Sequence, residues 1–469
     1  MPIRKKTAPA KKKATIKRAK KPAKKAAPTT RPAKGNTQPI ATTGPQFAQA
    51  PTTPDPTAFT IPHASDAAAY KILDSEKKSQ LLPRPFPIAK DTEPTVTLAS
   101  ALGATGDAIT EAILDTFGQI VFHVVGDTGN TTGPKDMDLV ADKMTADFTD
   151  PDEQTRPTFC YHVGDVIYSF GETQYYYDQF YDPFRNYPAP IFAIPGNHDG
   201  MIAPGSTDIA LDAFLQNFCT AGQPPHRTPE SGELLRTAQI QPAVYFTLDA
   251  PFVRILGLYS NCLEDPGIIS AQGKQYPALG NAQLDFLKAA LNRIVEEQFQ
   301  GAVLIAVHHP PYTAALKATG PMSARRHGGS PEMLKEIDAV CEKANVWPHA
   351  VLSGHAHNYQ RFTRTTKDGR QTPFLVSGNG GHGLTKLTHK SAPAPRTPLD
   401  QPALTDGTDT VTLENYDDQD FGYLRVIVDA KQLHIEYHPQ SDGEQSKTPN
   451  DFVTVDLATR KLVHYQAIS

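Results

Sequence analysis

Short apolar runs that stop abruptly at polar, turn-prone residues recur from Gln119 onward, with longer stretches of helical spacing between them. QIVFHVVGD (119–127), TFCYHVGD (158–165) and PIFAIPGNHD (190–199) read as three buried strands. AVYFTLDAPFVRILGLYS (243–260) reads as a hairpin turning at 249–251, and AVLIAVHH (302–309), HAVLSGHAH (349–357) and PFLVSGNGG (373–381) as further strands. Helical spacing predicts helices over 137–148, 174–187, near 208–219, over 282–298 and over 330–345. Two late hairpins, FGYLRVIVD to QLHIEYHP and DFVTVDL to KLVHYQ, close the chain. A Pro/Asp/Thr-rich stretch at 388–418 reads as a surface loop. Strands mixed with helices and followed by antiparallel hairpins predict an α/β (α+β) fold of two packed mixed sheets flanked by helices.

The pattern is absent before Gln119. Residues 1–40 are low-complexity Lys/Ala/Pro, and residues 41–117 are rich in Pro and Thr, with a short helical candidate at 66–82 and a strand then a helix within 95–115. The reading is a disordered basic tail (1–40), a linker or strap on the main domain (41–117) and a catalytic domain (118–469). Charge sharpens that division. Residues 1–34 hold 14 Lys or Arg and no acid, which leaves 32 of the 46 basic residues against all 50 acidic ones in the rest. An arm of that sign is expected to contact nucleic acid or another polyanion nonspecifically, or to serve as a solubilising or targeting tail.

Four cysteines far apart, with no CxxC pair, argue against a thiolate zinc site or a disulfide framework. No run of about 18 apolar residues predicts a membrane span. No apolar segment near Met1 reads as a secretory signal, so the expected location is cytoplasmic.

Five strand ends carry the candidate chemistry: GDTG (Asp127), GDVIY (Asp165, Tyr168), GNHD (Asn197, His198, Asp199), VHH (His308, His309) and GHAH (His355, His357). Each follows an apolar run, so all five can meet at one edge of the sheets, where ligands collect in α/β folds. Singly, each has a plain reading: GDTG is an ordinary turn, and His123 and His162, inside strands, read as core histidines. Together they offer carboxylates, an amide, a phenol and imidazoles without sulfur, a set suited to Fe, Mn, Zn or Ni. It is too rich for one ion and right for two about 4 Å apart.

The ordered set GDxG, GDxxY, GNHD, xxxH, GHxH resembles the calcineurin-like metallophosphoesterases, and within them the purple acid phosphatases, from about Gln119 to the C-terminus. PPY after the fourth motif and NYQR after GHAH agree. The general superfamily has Asp-x-His in the first motif; here that position is Gly129, and Tyr168 stands in the second motif as in the purple enzymes. The resemblance implies a four-layer αββα sandwich and two metal ions, Fe(III) with a divalent Fe, Zn or Mn. It assigns Asp127, Asp165, Tyr168 and His357 to one ion, and Asp165 as bridge, Asn197, His308 and His355 to the other. The Pro and Tyr spacing of the fourth motif selects His308 and leaves His309 as a supporting or phosphate-facing residue.

By the same resemblance, the expected reaction is hydrolysis of phosphomonoesters by a metal-activated hydroxide, with His198 facing substrate. His327, in RRHGGS, is the candidate proton donor to the leaving group; Arg325 or Arg326 would hold phosphate, and Asp199 would orient His198 or its loop. A phosphodiesterase acting on nucleotides is the alternative. A polyanion-binding protein with a non-catalytic phosphoesterase scaffold is the alternative of another class. His382 (in GNGGHG) is read equally as loop residue or phosphate contact, and Tyr175, Tyr176, Tyr177 and Tyr181 as helix packing or a stacking surface. The chain departs from plant-type relatives in having no β-sandwich pattern before residue 118, and a histidine pair found near Lys317 in some relatives is missing.

Overall fold

A computed structural model describes residues 50–63, 71, 83–219, 229–234, 238–314, 327–387, 398–399 and 409–466. The basic tail, Arg325, Arg326 and, apart from Lys71, the helix expected at 66–82 lie outside those residues.

Two mixed sheets form the centre, one of nine strands and one of seven. In the seven-stranded sheet, β1 (Gln119–Val125), β2 (Cys160–His162) and β3 (Ile191–Ala193) run parallel, and the two C-terminal hairpins extend it antiparallel from β1. The nine-stranded sheet has β4 (Ala302–Val307) and β5 (Ala350–Ser353) parallel at its middle. Alternation along each strand decides what faces what. Ile120, Phe122 and Val124 of β1 and Ala302, Leu304 and Ala306 of β4 belong to one apolar cluster drawn from both sheets. Val303, Ile305 and Val307 point the other way, into a second cluster with the helices.

Those helices follow from their sequences. Ala282–Glu296 buries Phe286, Leu287, Ala290, Leu291 and Ile294 on one face, and Pro331–Ala344 starts on proline and ends at Asn345 in the left-handed conformation. Lys135–Ala146 covers the outer side of the seven-stranded sheet, burying Met137, Val140 and Met144. The architecture is helix, sheet, sheet, helix.

Two expectations are corrected. The tyrosine-rich stretch expected as a helix over 174–187 forms only short turns at Thr173–Tyr175 and Tyr177–Tyr181. Its Tyr175, Tyr176 and Tyr181 are buried as packing. The expected loop at 388–418 contains a strand, Thr410–Asp417, which pairs with another strand that sequence reasoning missed, Tyr359–Thr365. The strand then helix expected within 95–115 is present: Thr95–Thr97 pairs with Phe246–Ala250, helices follow at Leu98–Leu102 and Gly106–Ala112, and Leu98 and Leu102 are in the inter-sheet core.

Candidate metal centre

The C-terminal ends of β1 to β5 lie together: main-chain hydrogen bonds tie neighbouring strand ends within each sheet, Asp127 N–H to Gly164 O and Gly354 N–H to His308 O, both at 2.9 Å, and Gly380 N–H to Gly126 O at 3.0 Å links one sheet to the other. Tight packing demands glycine in this place. A Cβ on Gly196 would lie 2.1 Å from Asp165 Oδ1, and one on Gly129 would lie 2.6 Å from Gln179 Oε1 and 2.7 Å from Ile167 Cα. Gly129 thus makes room for the loop that carries Tyr168. Asp127, Asp165 and His355 take left-handed φ values of +56°, +53° and +67°, a conformation that Asp and His tolerate better than most residues.

All seven ligand candidates are buried in one cluster. Tyr168 Oη lies 2.9 Å from Asp127 Oδ1, 2.8 Å from Asp165 Oδ2 and 3.1 Å from His357 Nε2. Asn197 Oδ1 lies 3.0 Å from both His308 Nε2 and His355 Nδ1, and His308 Nε2 is 3.3 Å from Asp165 Oδ2. Asp165 therefore touches both groups of four. Donor atoms of Asp165, His308 and His355 all lie within 4.8 Å of one another, close enough to share one ion. The imidazoles are oriented from behind: His308 Nδ1 contacts Val163 O at 2.9 Å and His357 Nδ1 contacts Gly383 O at 3.0 Å.

The electrostatics are those of a cluster short of positive charge. Burial first, and the charge of Asp165 as well, push Asp127 well above the usual carboxylate range. Burial opposes ionisation of Asp165 too, but His308 and His198 outweigh it and hold that carboxyl low. His308 is raised to about 9 because Asp165 and Asp127 overcome the cost of burying its charge. Burial, then Asp127 and Asp165, push the Tyr168 phenol up. Burial and neighbouring imidazoles keep His355 and His357 neutral. Two buried carboxylates, neutral imidazoles and buried unpartnered polar atoms at His355 Nε2 and Asn197 Nδ2 form a donor set that fits hard or borderline cations.

The remaining candidates separate. His308 joins the cluster. His309 turns away: its Nδ1 lies 2.7 Å from Ser260 Oγ and its Nε2 2.7 Å from Leu263 O. Both nitrogens are occupied by protein, so the phosphate-facing expectation for His309 is corrected to a packing role beside His355. Asp199 accepts hydrogen bonds from the main-chain N–H groups of Val166, Ile167 and Gly196, so it ties the Asp165–Tyr168 loop to the loop of His198. Burial and the charge of Asp165 raise its carboxyl to about 7. His198 Nδ1 is 2.7 Å from Ser169 O, which leaves Nε2 for other partners.

The His327 ring lies 4.5 Å from that of His355 and 4.7 Å from that of His357, with a buried, unpartnered Nδ1. His123 and His162 are bound within the fold, to Asp147 and Tyr187 and to Thr128, as core histidines. His382, read equally as loop residue or phosphate contact, stacks on Tyr168 with ring centroids 3.6 Å apart and its Nδ1 2.9 Å from Gly129 O. One contributor escaped sequence reasoning. Gln179, in the tyrosine-rich stretch, grips the Tyr168 main chain, and no motif marks it.

The profile of the calcineurin-like phosphoesterases matches residues 120–359, just over half the chain and all five motifs. The chain belongs to the calcineurin-like phosphoesterase family. As such it is a phosphoester hydrolase of a family that typically carries a dinuclear metal centre, and its buried Asp/His cluster stands where the five motifs converge. No curated protein matches the chain. Among solved structures, it is similar to GAP50, the anchor in the inner membrane complex of Plasmodium, at 12% identity and TM-score 0.46, covering 72% of this chain and 89% of that one. It is similar to PhoD at 13% identity and TM-score 0.41, covering 75% and 72%. A third, a phosphoesterase-like protein of Streptococcus pneumoniae, matches at 10% identity and TM-score 0.22, covering 69% and 91%. Among the described residues of this phosphoesterase, no helix is long and apolar enough to cross a membrane.

Proposed function

We propose that the chain hydrolyses phosphomonoesters at a two-metal centre of the purple acid phosphatase type, with Fe(III) held on the tyrosine side and a divalent ion beside it. The observation that carries this reading is the placement of Tyr168 Oη among Asp127, Asp165 and His357, in the space that Gly129 leaves open. Asp127, Asp165, Tyr168 and His357 would hold one ion, and Asp165, Asn197, His308 and His355 the other. When bound, the ions supply positive charge for the phosphoryl oxygens and an activated water as nucleophile.

The residues do the rest. Asp165, shared by both groups, fixes their separation. The main-chain N–H of His198 holds Asp165 Oδ1 at 2.8 Å. With Nδ1 committed to Ser169 O, His198 offers Nε2 to a phosphoryl oxygen as charge builds there. His327, packed over His355 and His357, would pass a proton to the leaving alkoxide. Asp199 would tie the Asp165–Tyr168 loop, through the Val166 and Ile167 N–H groups, to the Asn197–His198 loop, through the Gly196 N–H.

The test is the visible spectrum and metal content of purified protein, assayed in the same preparation on p-nitrophenyl phosphate and its bis-ester. The expected result is a tyrosinate-to-iron band, abolished in Tyr168→Phe, with faster turnover of the monoester. A colourless, active protein with two Mn or Zn sinks the Fe(III)–tyrosinate assignment, and faster turnover of the diester sinks the monoester preference.

A further inference from the structure

The segment 50–63 is joined side chain by side chain to the tyrosine-rich turns at 173–186. Thr52 N–H donates to Asn186 Oδ1 at 2.7 Å, Asp55 N–H to Asp182 Oδ1 at 3.0 Å, and Phe59 N–H to Asp178 Oδ2 at 2.8 Å; Tyr177 Oη donates to Asp55 Oδ2 at 2.9 Å. His63 ends this segment with its side chain only 3% exposed. Its ring stacks on Phe59 at 4.7 Å and lies 5.0 Å from Tyr175. Both ring nitrogens are used: Nε2 is 2.9 Å from Asp178 Oδ2 and Nδ1 is 3.0 Å from Gln179 Nε2.

The proton positions follow from the partners. Gln179 Nε2 can only donate, so His63 presents Nδ1 as an acceptor and carries its hydrogen on Nε2, toward Asp178 Oδ2. Gln179 Nε2 then donates one hydrogen to His63 and the other to Tyr168 O, while Gln179 Oε1 accepts from Tyr168 N–H at 2.7 Å. The amide clamps both main-chain groups of Tyr168, and His63 fixes which way that amide points. The phenol of the same residue stands among Asp127, Asp165 and His357.

We propose that His63, far upstream of the five motifs, is a positioning residue for Tyr168: through Gln179 it sets the direction in which the phenol enters the metal centre. This rests on the reading of Tyr168 as a ligand. The strap is then part of the site, and the smallest active chain begins before residue 63 rather than near the first motif. A positioning partner of a ligand usually changes metal retention by about 10- to 100-fold, whereas a residue that merely stabilises the fold changes it equally whatever stands at 168.

The test uses the full-length, metal-loaded protein and the rate at which a chelator strips its metal, with the visible spectrum followed in parallel. The variants are His63→Ala, His63→Phe, which keeps the ring stack and loses both nitrogens, and His63→Gln, which restores an acceptor for Gln179 and a donor for Asp178. Each is made with tyrosine and with phenylalanine at 168. Metal loss about 10-fold faster in His63→Ala and His63→Phe, near normal in His63→Gln, and less than about twofold changed by the same substitutions in the Tyr168→Phe background, is the expected pattern. Should the alanine chain fail to fold, the phenylalanine chain carries the test. An equal acceleration in both backgrounds, or none where Tyr168→Phe alone accelerates loss, overturns the role of His63 and leaves Tyr168 a ligand. If Tyr168→Phe alone changes neither metal loss nor spectrum, the ligand reading itself fails and the inference goes with it.

Discussion

Strand β1 carries two buried groupings of acid and histidine, one just past its end at Asp127 and one on its outer face at His123, and they balance charge in opposite ways. Around His123, every carboxylate meets a partner from the chain itself. Asp147 receives His123 Nε2 at 2.9 Å, Tyr423 Oη at 2.8 Å and the Lys447 ammonium; Glu436 receives Arg425 at 3.0 Å, His438 at 3.1 Å and His434 at 3.2 Å. Burial would raise both carboxyls, but these partners outweigh it and hold them below the usual range. Around Asp127 no lysine or arginine of the described residues pairs with either carboxylate, and Asp127 is pushed up instead. The same residue types make a closed structural network in one place and a cation-shaped deficit in the other. What separates them is whether the chain supplies the counter-charge.

That comparison can be broken most severely at Asp165, the residue common to both halves of the metal cluster. Asp165→Asn should abolish binding of both ions and lower kcat by on the order of 10³-fold or more, while Asp127→Asn should leave the metal-free protein no less stable than metal-free wild type, because burial already favours the uncharged form of that carboxyl. Metal analysis, p-nitrophenyl phosphate turnover and urea unfolding in chelator check the three parts. Strong destabilisation of metal-free Asp127→Asn would mean that the chain balances this charge after all.

Asp147→Asn should do the reverse. It strands Lys447 and His123 in a closed network, so it should cost about 3 kcal/mol of unfolding free energy and leave metal content and kcat within about twofold. Urea denaturation and the same assays separate the outcomes.

The smallest effect is in pH. Asp147 is depressed in the folded state, so its stabilising contribution is complete above its unfolded value of about 4 and is lost as pH falls through the lower folded value. The stability gap between wild type and Asp147→Asn should therefore be constant from about pH 5 to 7 and narrow below about pH 4. A gap that widens in acid would reverse the sign assigned to this network.

The sequence exposes the ends of strands better than what supports them. β1 to β5 are legible because apolar runs broken by Gly, Asn, Asp and His need no tertiary context, and the five clusters lie at their ends in order. The helices at Ala282–Glu296 and Pro331–Ala344 are legible from one apolar stripe each. Tyr359–Thr365 and Thr410–Asp417 are not, because RFTRT and TLENYD alternate weakly and become strands through their neighbours, Tyr359–Thr365 between Gln371–Ser377 and Thr410–Asp417. His308 and His309 show the same limit within the site: adjacent imidazoles point apart, one to Asn197 and one to Ser260, and the apolar run before them does not tell them apart, whereas the family spacing of Pro310 and Tyr312 selects His308. Gln179 and His63 were invisible because their role is a contact between distant segments, 116 residues apart.

The left-handed backbone at Asp127, Asp165 and His355 has a consequence for any attempt to improve the protein. Each such residue costs on the order of 1 kcal/mol or more that glycine would not. Selection for heat resistance alone would therefore reward glycine at these three places, and each gain would remove a candidate ligand. The cluster survives only under selection that reads turnover, so durability and catalysis are competing demands on the same three peptide units.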